Sequence, residues 1–429
     1  MIASIVSTAI FVICLALIFS EKLNRVIVAL LGAVVMVVVG MLMGFFSEDA
    51  AMAAIDLNTL GLLLGMMILV ALLEPTGFFQ FLAIWVAKLS RGRPVRLLVM
   101  LGVVTTVISM FLDNVTTVVL IAPVTILISE LIGINPQALL LAEALLSDTG
   151  GVATLVGDPP NVLIASAANL SFMDFLQNSF PIVIVVWLVA LLLIRYLFRK
   201  ELATAPTNTE AIAQLRPEEV LEDRTSATRV LIVTALAIVF FLLEEQLHVR
   251  PALIALGAAA VSLAWVRPNV HETLRRVEWD VLVFFGALFV IVGGMESAGV
   301  LHQLAQVIVR AADLPPILLG IAVIWVVALL SAIVDNIPIT IAMIPVIMEL
   351  GAAGINITPL WWALAFGAGF GGNGTIIGST ANVVVVSLSE RTRFPITPRL
   401  WSKRGLPVML ATCATASVLY ALAYPLLAR

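Results

Sequence analysis

The chain has 429 residues, of which 62% are hydrophobic and 12% charged, against about 45–50% and 25% in a soluble globular protein, which excludes a soluble enzyme. Its formal charge of -4 supplies no basic field to gather nucleic acid. Cys14 and Cys413 lie in apolar runs near opposite ends, without Cys/His spacing, so neither a disulfide framework nor a zinc site is expected.

A spanning helix needs about 20 largely apolar residues, and such runs recur along the chain. Residues 2–20 form the first. No Lys or Arg precedes the run and no small-residue cleavage site follows it before Glu21 and Lys22, so it reads as a span rather than a signal peptide. Further spans are predicted at 26–46 and 59–87, then a less regular apolar stretch at 97–168 and a span at 177–197. The polar segment 199–229, with Glu218, Glu219, Glu222 and Asp223, reads as a linker. Spans follow at 230–247, 251–266 and 279–301, a second irregular stretch at 316–390, and a last span at 405–427. The fold class is an all-α polytopic membrane protein.

Short loops rich in Lys and Arg stay in the cytoplasm. Twenty of the 23 cations fall in 22–25, 88–96, 195–229, 267–276 and 391–404, leaving only Arg250, Arg310 and Arg429. The loop with Glu48, Asp49 and Asp56 is acidic. This split predicts a multi-pass protein of the cytoplasmic (inner) membrane, with both termini outside and the 199–229 linker cytoplasmic.

The two halves repeat. FLDNVTTVVLIAPV from Phe111 lies over IVDNIPITIAMIPV from Ile333, so Asp113 matches Asp335 and Pro123 matches Pro345. Glu74 and Gly77 match Glu296 and Gly299 in the same register, and GGVATLVGDPPNVLIAS from Gly150 lies over GGNGTIIGSTANVVVVS from Gly371. The first half, 1–198, starts outside and ends inside after about five crossings and one paired excursion, so the second half, 230–429, runs the opposite way. Inverted repeats are the architecture of many secondary carriers with a site near the midplane. Duplication without alternating access, as in a channel, is the competing reading.

In each half the irregular stretch holds a predicted re-entrant hairpin, about 97–131 and 316–350, and a broken helix, about 138–168 and 359–390. Asp113-Asn114, followed by Thr116 and Thr117, tips the first hairpin. Asp335-Asn336, followed by Pro338 and Thr340, tips the second. An acid at this depth is a functional hypothesis by default, because an unpaired carboxylate there costs several kcal/mol. The alternative is that the Asp side chains only cap the second hairpin helix.

Gly151, Thr154, Gly157, Asp158 and Asn161 interrupt the first broken helix, and Asn373, Thr375, Gly378, Ser379 and Asn382 the second. Glycine is permissive and the paired prolines Pro159-Pro160 remove two donors. Freed carbonyls with Asn and Thr oxygens could coordinate Na⁺ or a proton carrier, and half-helix N-termini could present amides to an anion or a polar solute. Glu74 and Glu296 read as mid-span residues and, with Asp148, are candidate proton carriers; hydrogen bonding to a broken helix is the alternative for the two glutamates. His248, His271 and His302 fall in predicted loops or span ends and read as solvated. The chain has no GxxxxGK[ST] phosphate loop.

FLDNVTT with IAPVTI, GGVATLVGDPPNV, VDNIPIT with MIPV, and ALAFGAGFGGNGTIIGSTANVV resemble the ion transporter superfamily. The similarity is greatest to the branch of arsenite efflux permeases, NhaD-type sodium/proton antiporters and the melanosomal P protein. The resemblance implies two hairpins and two broken helices forming paired ion sites around a substrate, as in dicarboxylate transporters. Those carriers have Ser-Asn where this chain has Asp113-Asn114 and Asp335-Asn336, and the added negative charge argues for a cation, a proton or a neutral hydroxide. Arsenite permeases often carry Asn-Asp and Asn-Asn at the tips, so Asp-Asn at both moves the pattern toward the P protein.

The function this implies is not enzymatic. It is proton-coupled antiport exporting a small inorganic solute, with arsenite or antimonite first, a Na⁺/H⁺ antiporter second, and an anion channel of the P-protein type as the rival. As(OH)₃ is neutral and polar, so carboxylate, amide and hydroxyl groups could bind it without thiols. No cofactor is implied beyond H⁺ or Na⁺ as coupling ion, with Na⁺ held transiently at the tips and no resident metal. The lipid bilayer is one partner and a soluble ATPase subunit a candidate second. A monomer and a dimer both fit.

Overall fold

The computed structural model describes residues 2–19, 23–203, 206, 212, 214–300 and 315–428. Lys22, His302, Arg310 and Arg429, whose sides or surroundings were read above from sequence, lie outside the described residues. The described residues form helices and no strand. Eight of these helices are long and apolar enough to cross a membrane.

The first half runs α1 (Ile2–Phe19), α2 (Arg25–Met43), the short α3 (Glu48–Ala54), α4 (Leu57–Leu73), α5 (Phe78–Ser90), α6 (Pro94–Ser109), α7 (Asn114–Ile132), α8 (Gln137–Gly151), α9 (Pro159–Ala168) and α10 (Phe180–Leu197). The second runs α11 (Arg224–Leu242), α12 (Pro251–Val266), α13 (Trp279–Ser297), α14 (Pro316–Ile333), α15 (Asn336–Ala352), α16 (Thr358–Gly371), α17 (Thr380–Ser389) and α18 (Pro398–Leu427). Polar residues at the boundaries explain where several helices start. Asn24, Ser47, Asp56 and Asp113 accept amide hydrogens at the N-caps of α2, α3, α4 and α7, and Pro occupies the first turn of α6, α12, α14 and α18, where no intrahelical donor is lost. Gly44 and Gly133 end α2 and α7 in the left-handed conformation.

The inverted repeat is visible in these boundaries. α1 and α11 start at Ile2 and Arg224, α4 and α13 at Leu57 and Trp279, α6 and α14 at Pro94 and Pro316, and α7 and α15 at Asn114 and Asn336, each pair 222 residues apart. Packing obeys the same symmetry. α2 lies on α13, and its counterpart α12 lies on α4; α9 touches α15, and its counterpart α17 touches α7. Without a hydrophobic drive between helices in lipid, close approach depends on small residues. A Cβ on Gly65 of α4 would stand 2.5 Å from the Ala255 carbonyl carbon of α12.

At the centre lie α8 and α16, the first arms of the broken helices. Every residue from Ala138 to Gly151 and from Pro359 to Gly371 is buried; α16 is apolar on all its faces, as a helix enclosed by others is, whereas α8 also buries the polar Glu143, Ser147, Asp148 and Thr149. Trp362 packs edge-on against Phe175 with ring centroids 5.0 Å apart.

Several expectations are corrected. The stretch 59–87 is two helices, α4 and α5, separated by a tight turn at Glu74–Thr76 with Gly77 at φ 77°. Pro75 removes a donor there and Gly77 takes a backbone conformation that L side chains rarely adopt. Glu74 therefore caps the end of α4 rather than standing mid-span, and Glu296 is exposed one residue from the end of α13. The 230–247 span begins earlier, at Arg224, where Asp223 caps it, so the last residues of the 199–229 segment belong to α11. The last helix likewise begins at Pro398, capped by Thr397. His248 and His271 are exposed.

Candidate functional site

Each hairpin tip is tied to the broken helix of its own repeat by the same bonds. Ser109 Oγ donates to the Ser147 carbonyl at 3.0 Å and Ser331 Oγ to the Ala368 carbonyl at 2.8 Å. Thr154 Oγ1 donates to the Met110 carbonyl and Thr375 Oγ1 to the Ala332 carbonyl. Within the breaks, Asn161 Nδ2 donates to the carbonyls of Gly151 and Thr154 at 3.1 and 2.8 Å, and Asn382 Nδ2 to those of Gly372 and Thr375 at 2.9 and 3.1 Å. Unwound carbonyls freed by the glycines are thus satisfied by side-chain amides, as backbone at membrane depth requires. Thr154 and Thr375 serve this scaffold and are not among the residues that line the cavity between the tips.

Between the repeats two contacts join an acid to a polar group and a third joins two polar groups. Asn336 Nδ2 donates to Asp158 Oδ2 at 3.0 Å, Ser379 Oγ to Asp148 Oδ1 at 3.0 Å, and Asn373 Nδ2 to Thr149 Oγ1 at 3.0 Å. Asp148 and Asp158 are 1% and 3% exposed, and neither has a basic partner among the described residues. Asp148 Oδ2, Asn373 Oδ1, Asn382 Oδ1 and Thr117 Oγ1 are buried and have no hydrogen-bond partner among the described residues. This belt is asymmetric, because Asp158 is matched by Ser379 and Asp148 by Gly369.

The two tips differ too. Asp113 caps α7, accepting the Thr116 amide at 2.9 Å, while Thr116 Oγ1 donates to Glu278 at 3.0 Å. Capping is thus real for Asp113. Asp335 makes no such cap; its Oδ2 accepts from Arg25 Nη1 at 3.1 Å and from Thr380 Oγ1 at 3.1 Å. Asn114 accepts from Ser109, and Thr340 donates to the Asn336 carbonyl at 2.8 Å.

Asp113, Asn114, Asp158, Asp335, Asn336 and Ser379 line one cavity of about 380 Å³. Its remaining charged lining is Glu74, Glu278 and Asp280 against Arg25 and Arg276, so six carboxylates face two guanidinium groups. Arg276 pairs with Glu74 at 3.1 Å. Sequence patterning does not point to Arg25, Arg276, Glu278, Asp280 or Thr380 as site residues. In the sequence Arg25 and Arg276 mark topology only, because nothing local shows that they face the tips.

A second cavity, of about 720 Å³, opens at the other end of α4 and is lined by Asp56, Asn58, Ser166, Glu244, His248 and Arg250 among others. Leu62 and Val162 line both cavities, so an apolar septum between α4 and α9 separates them. Glu244, which starts a one-turn helix after α11, is 6% exposed and accepts the Phe172 amide at 2.6 Å. Burial pushes its carboxyl up to about 7, with the Phe172 amide opposing and Glu245 and Asp174 adding to the rise. A carboxyl raised in the folded state keeps its proton where the unfolded chain has lost it, so folded stability falls as pH rises from about 4.5 to 7. Glu244→Gln is expected to remove about 1 kcal/mol of that slope, after discounting for solvent screening, as read by thermal unfolding in detergent at pH 4.5 and 7.5. An unchanged slope would refute the assignment.

Comparison with known proteins agrees with this architecture. The chain is 38% identical over 427 residues to the 46 kDa membrane protein of Mycobacterium leprae, covering 98% of this chain and 99% of that one. It is 38% identical over 428 residues to the uncharacterized transporter Rv2684 of Mycobacterium tuberculosis, with the same coverage. The human P protein is 32% identical over 494 residues, covering 95% of this chain and 58% of the P protein. The crystal structure of the YdaH transporter of Alcanivorax borkumensis, described as having an unusual topology, shares the fold with a TM-score of 0.57 at 18% identity, over 86% of each chain. Residues 15–367 match the family model described as citrate transporter; with both halves of the inverted repeat and both broken helices within or beside that match, the chain belongs to the CitMHS citrate transporter family of the ion transporter superfamily.

Proposed function

We propose that this membrane transporter is a secondary antiporter that works by alternating access, coupling proton entry to export of a cation or a neutral inorganic hydroxide, with arsenite or antimonite as first candidates. The observation that carries the reading is the charge of the cavity, where six carboxylates oppose two arginines. Citrate, named in the family description, is a multivalent anion that this lining repels unless a metal or protons neutralise it. As(OH)₃ and Sb(OH)₃ bring no charge and can accept or donate hydrogen bonds to Asp, Asn and Ser groups. Asp148 and Asp158, buried without basic partners among the described residues, are the groups whose protonation would alternate with cargo; an unpaired carboxylate at that depth needs a proton or a cation. Sodium in place of arsenite is the second reading, favoured by the unpartnered oxygens Asp148 Oδ2, Asn373 Oδ1 and Asn382 Oδ1 beside the breaks.

In this reading the linker end, with Arg25, Glu74 and Arg276, is cytoplasmic, the cavity at the tips faces inward, and the protein resides in the cytoplasmic membrane. Purified protein in liposomes with an imposed pH gradient tests the proposal. Arsenite accumulation that collapses with a protonophore supports the first reading, and sodium-dependent proton release the second. Citrate accumulation without either, or flux that no gradient can drive uphill, refutes both; the latter indicates a channel.

A further inference from the structure

The two cavities carry corresponding residues at corresponding places in the repeats. Beside the hairpin tips stand Arg25, in the first turn of α2, with Glu278 and Asp280 at the start of α13. Around the opposite cavity stand Arg250, immediately before α12, with Asp56 and Asn58 at the start of α4. Asp56 and Asn58 correspond to Glu278 and Asp280 in the repeat register, and α12 packs on α4 as α2 packs on α13. Each mouth thus combines an arginine from one repeat with a polar pair from the other.

Their engagement differs. Arg25 Nη1 donates to Asp335 Oδ2 at 3.1 Å and to Thr380 Oγ1 at 3.3 Å, and its guanidinium lies 5.5 Å from the centroid of Phe284 on α13. Arg250 is exposed and forms no ion pair among the described residues. Asp113, the counterpart of Asp335, has no arginine partner among the described residues. When inverted repeats exchange conformations, a contact made by one half in one state is made by its counterpart in the other.

We propose that Arg25 and Arg250 are alternating positioning residues for the two hairpin tips. Arg25 docks Asp335 on the scaffold in the state described here. When the opposite cavity extends past the Leu62 and Val162 septum to the tips, Asp335 leaves Arg25 and Asp113 docks on Arg250. The inference rests on the alternating-access reading above. The two latches are unequal, because Thr380 adds a hydroxyl to the Arg25 site and the corresponding residue of the first repeat is Pro159, which has none.

The test uses full-length protein with Cys14 and Cys413 replaced by Ala and a single reporter, Met67→Cys in the tip cavity or Ser166→Cys in the opposite one. Labelling rates with a membrane-impermeant maleimide are read in proteoliposomes of known orientation. Arg25→Ala is expected to slow labelling at position 67 and speed it at position 166, each about two- to fivefold, the range for loss of a partly exposed ion pair. Arg250→Ala is expected to do the reverse by a smaller factor, and Arg25→Lys to restore part of the parent ratio. General loosening raises both rates together, so shifts in the same direction in both variants, or none, overturn the assignment. If the parent reporters fail to respond reciprocally to pH and solute gradients, the alternating-access reading itself falls, which is a separate result.

Discussion

Asp158→Asn and Asp335→Asn are each expected to lower gradient-driven transport by about 100-fold while the protein stays folded, the size of losing one interaction with a charged group. Asn keeps the volume of Asp and one acceptor oxygen, so the bond from Asn336 to position 158 and those from Arg25 and Thr380 to position 335 can persist. What disappears is the ability to alternate between a charged and a protonated or cation-bound form. Asp113→Asn keeps the α7 cap, since Asn caps as well as Asp, and separates capping from charge at the first tip. The measurement is solute accumulation in proteoliposomes under a fixed pH gradient, with thermal unfolding as the folding control. Parent-like accumulation in both variants would assign these acids to architecture alone.

Gly157→Ala and Gly378→Ala are expected to destabilise the protein by similar amounts, about 2–3 kcal/mol each, because overpacking against backbone has no flexible side chain to give way. A Cβ on Gly157 would stand 2.5 Å from the Gly151 carbonyl oxygen and 2.8 Å from that of Ser109; a Cβ on Gly378 would stand 2.6 Å from the Gly372 oxygen and 3.1 Å from that of Ser331. The breaks therefore close on themselves and on their hairpins by backbone contact. Gly257, in the interior of α12, meets nothing within 4 Å, and Gly257→Ala is expected to be neutral or slightly stabilising through helix propensity. Reversible unfolding in mixed micelles measures the three variants. Equal stability for all of them would mean the breaks tolerate side chains and that their geometry is looser than described.

The motif blocks were informative because each feature they carry is local. Pro159-Pro160 cannot continue a helix, Asp113 caps the residue three positions on, and Gly-rich runs mark where backbone must approach backbone. Repeat comparison extended this reach, since two copies whose blocks are offset by 222 and 221 residues revealed both hairpins and both breaks. Where the reading failed, the cause was a local signal weaker than overall hydropathy. Residues 59–87 are apolar enough for one long span, but the Pro75 and Gly77 pair divides it and puts Glu74 at the end of α4.

Composition, cation placement and the internal repeat determined by themselves that this is a helical membrane protein of two inverted halves, because lipid leaves backbone no partner outside a helix and a duplicated sequence must reuse its fold. Only the tertiary structure decided which acids are paired. Asp335 meets Arg25 across 310 positions, Asp158 meets Asn336 across 178 and Asp148 meets Ser379 across 231. Such contacts depend on how α2, α9 and α15 cross, and crossing is set by the close approach of small residues summed over many helices, which no local pattern of residues encodes.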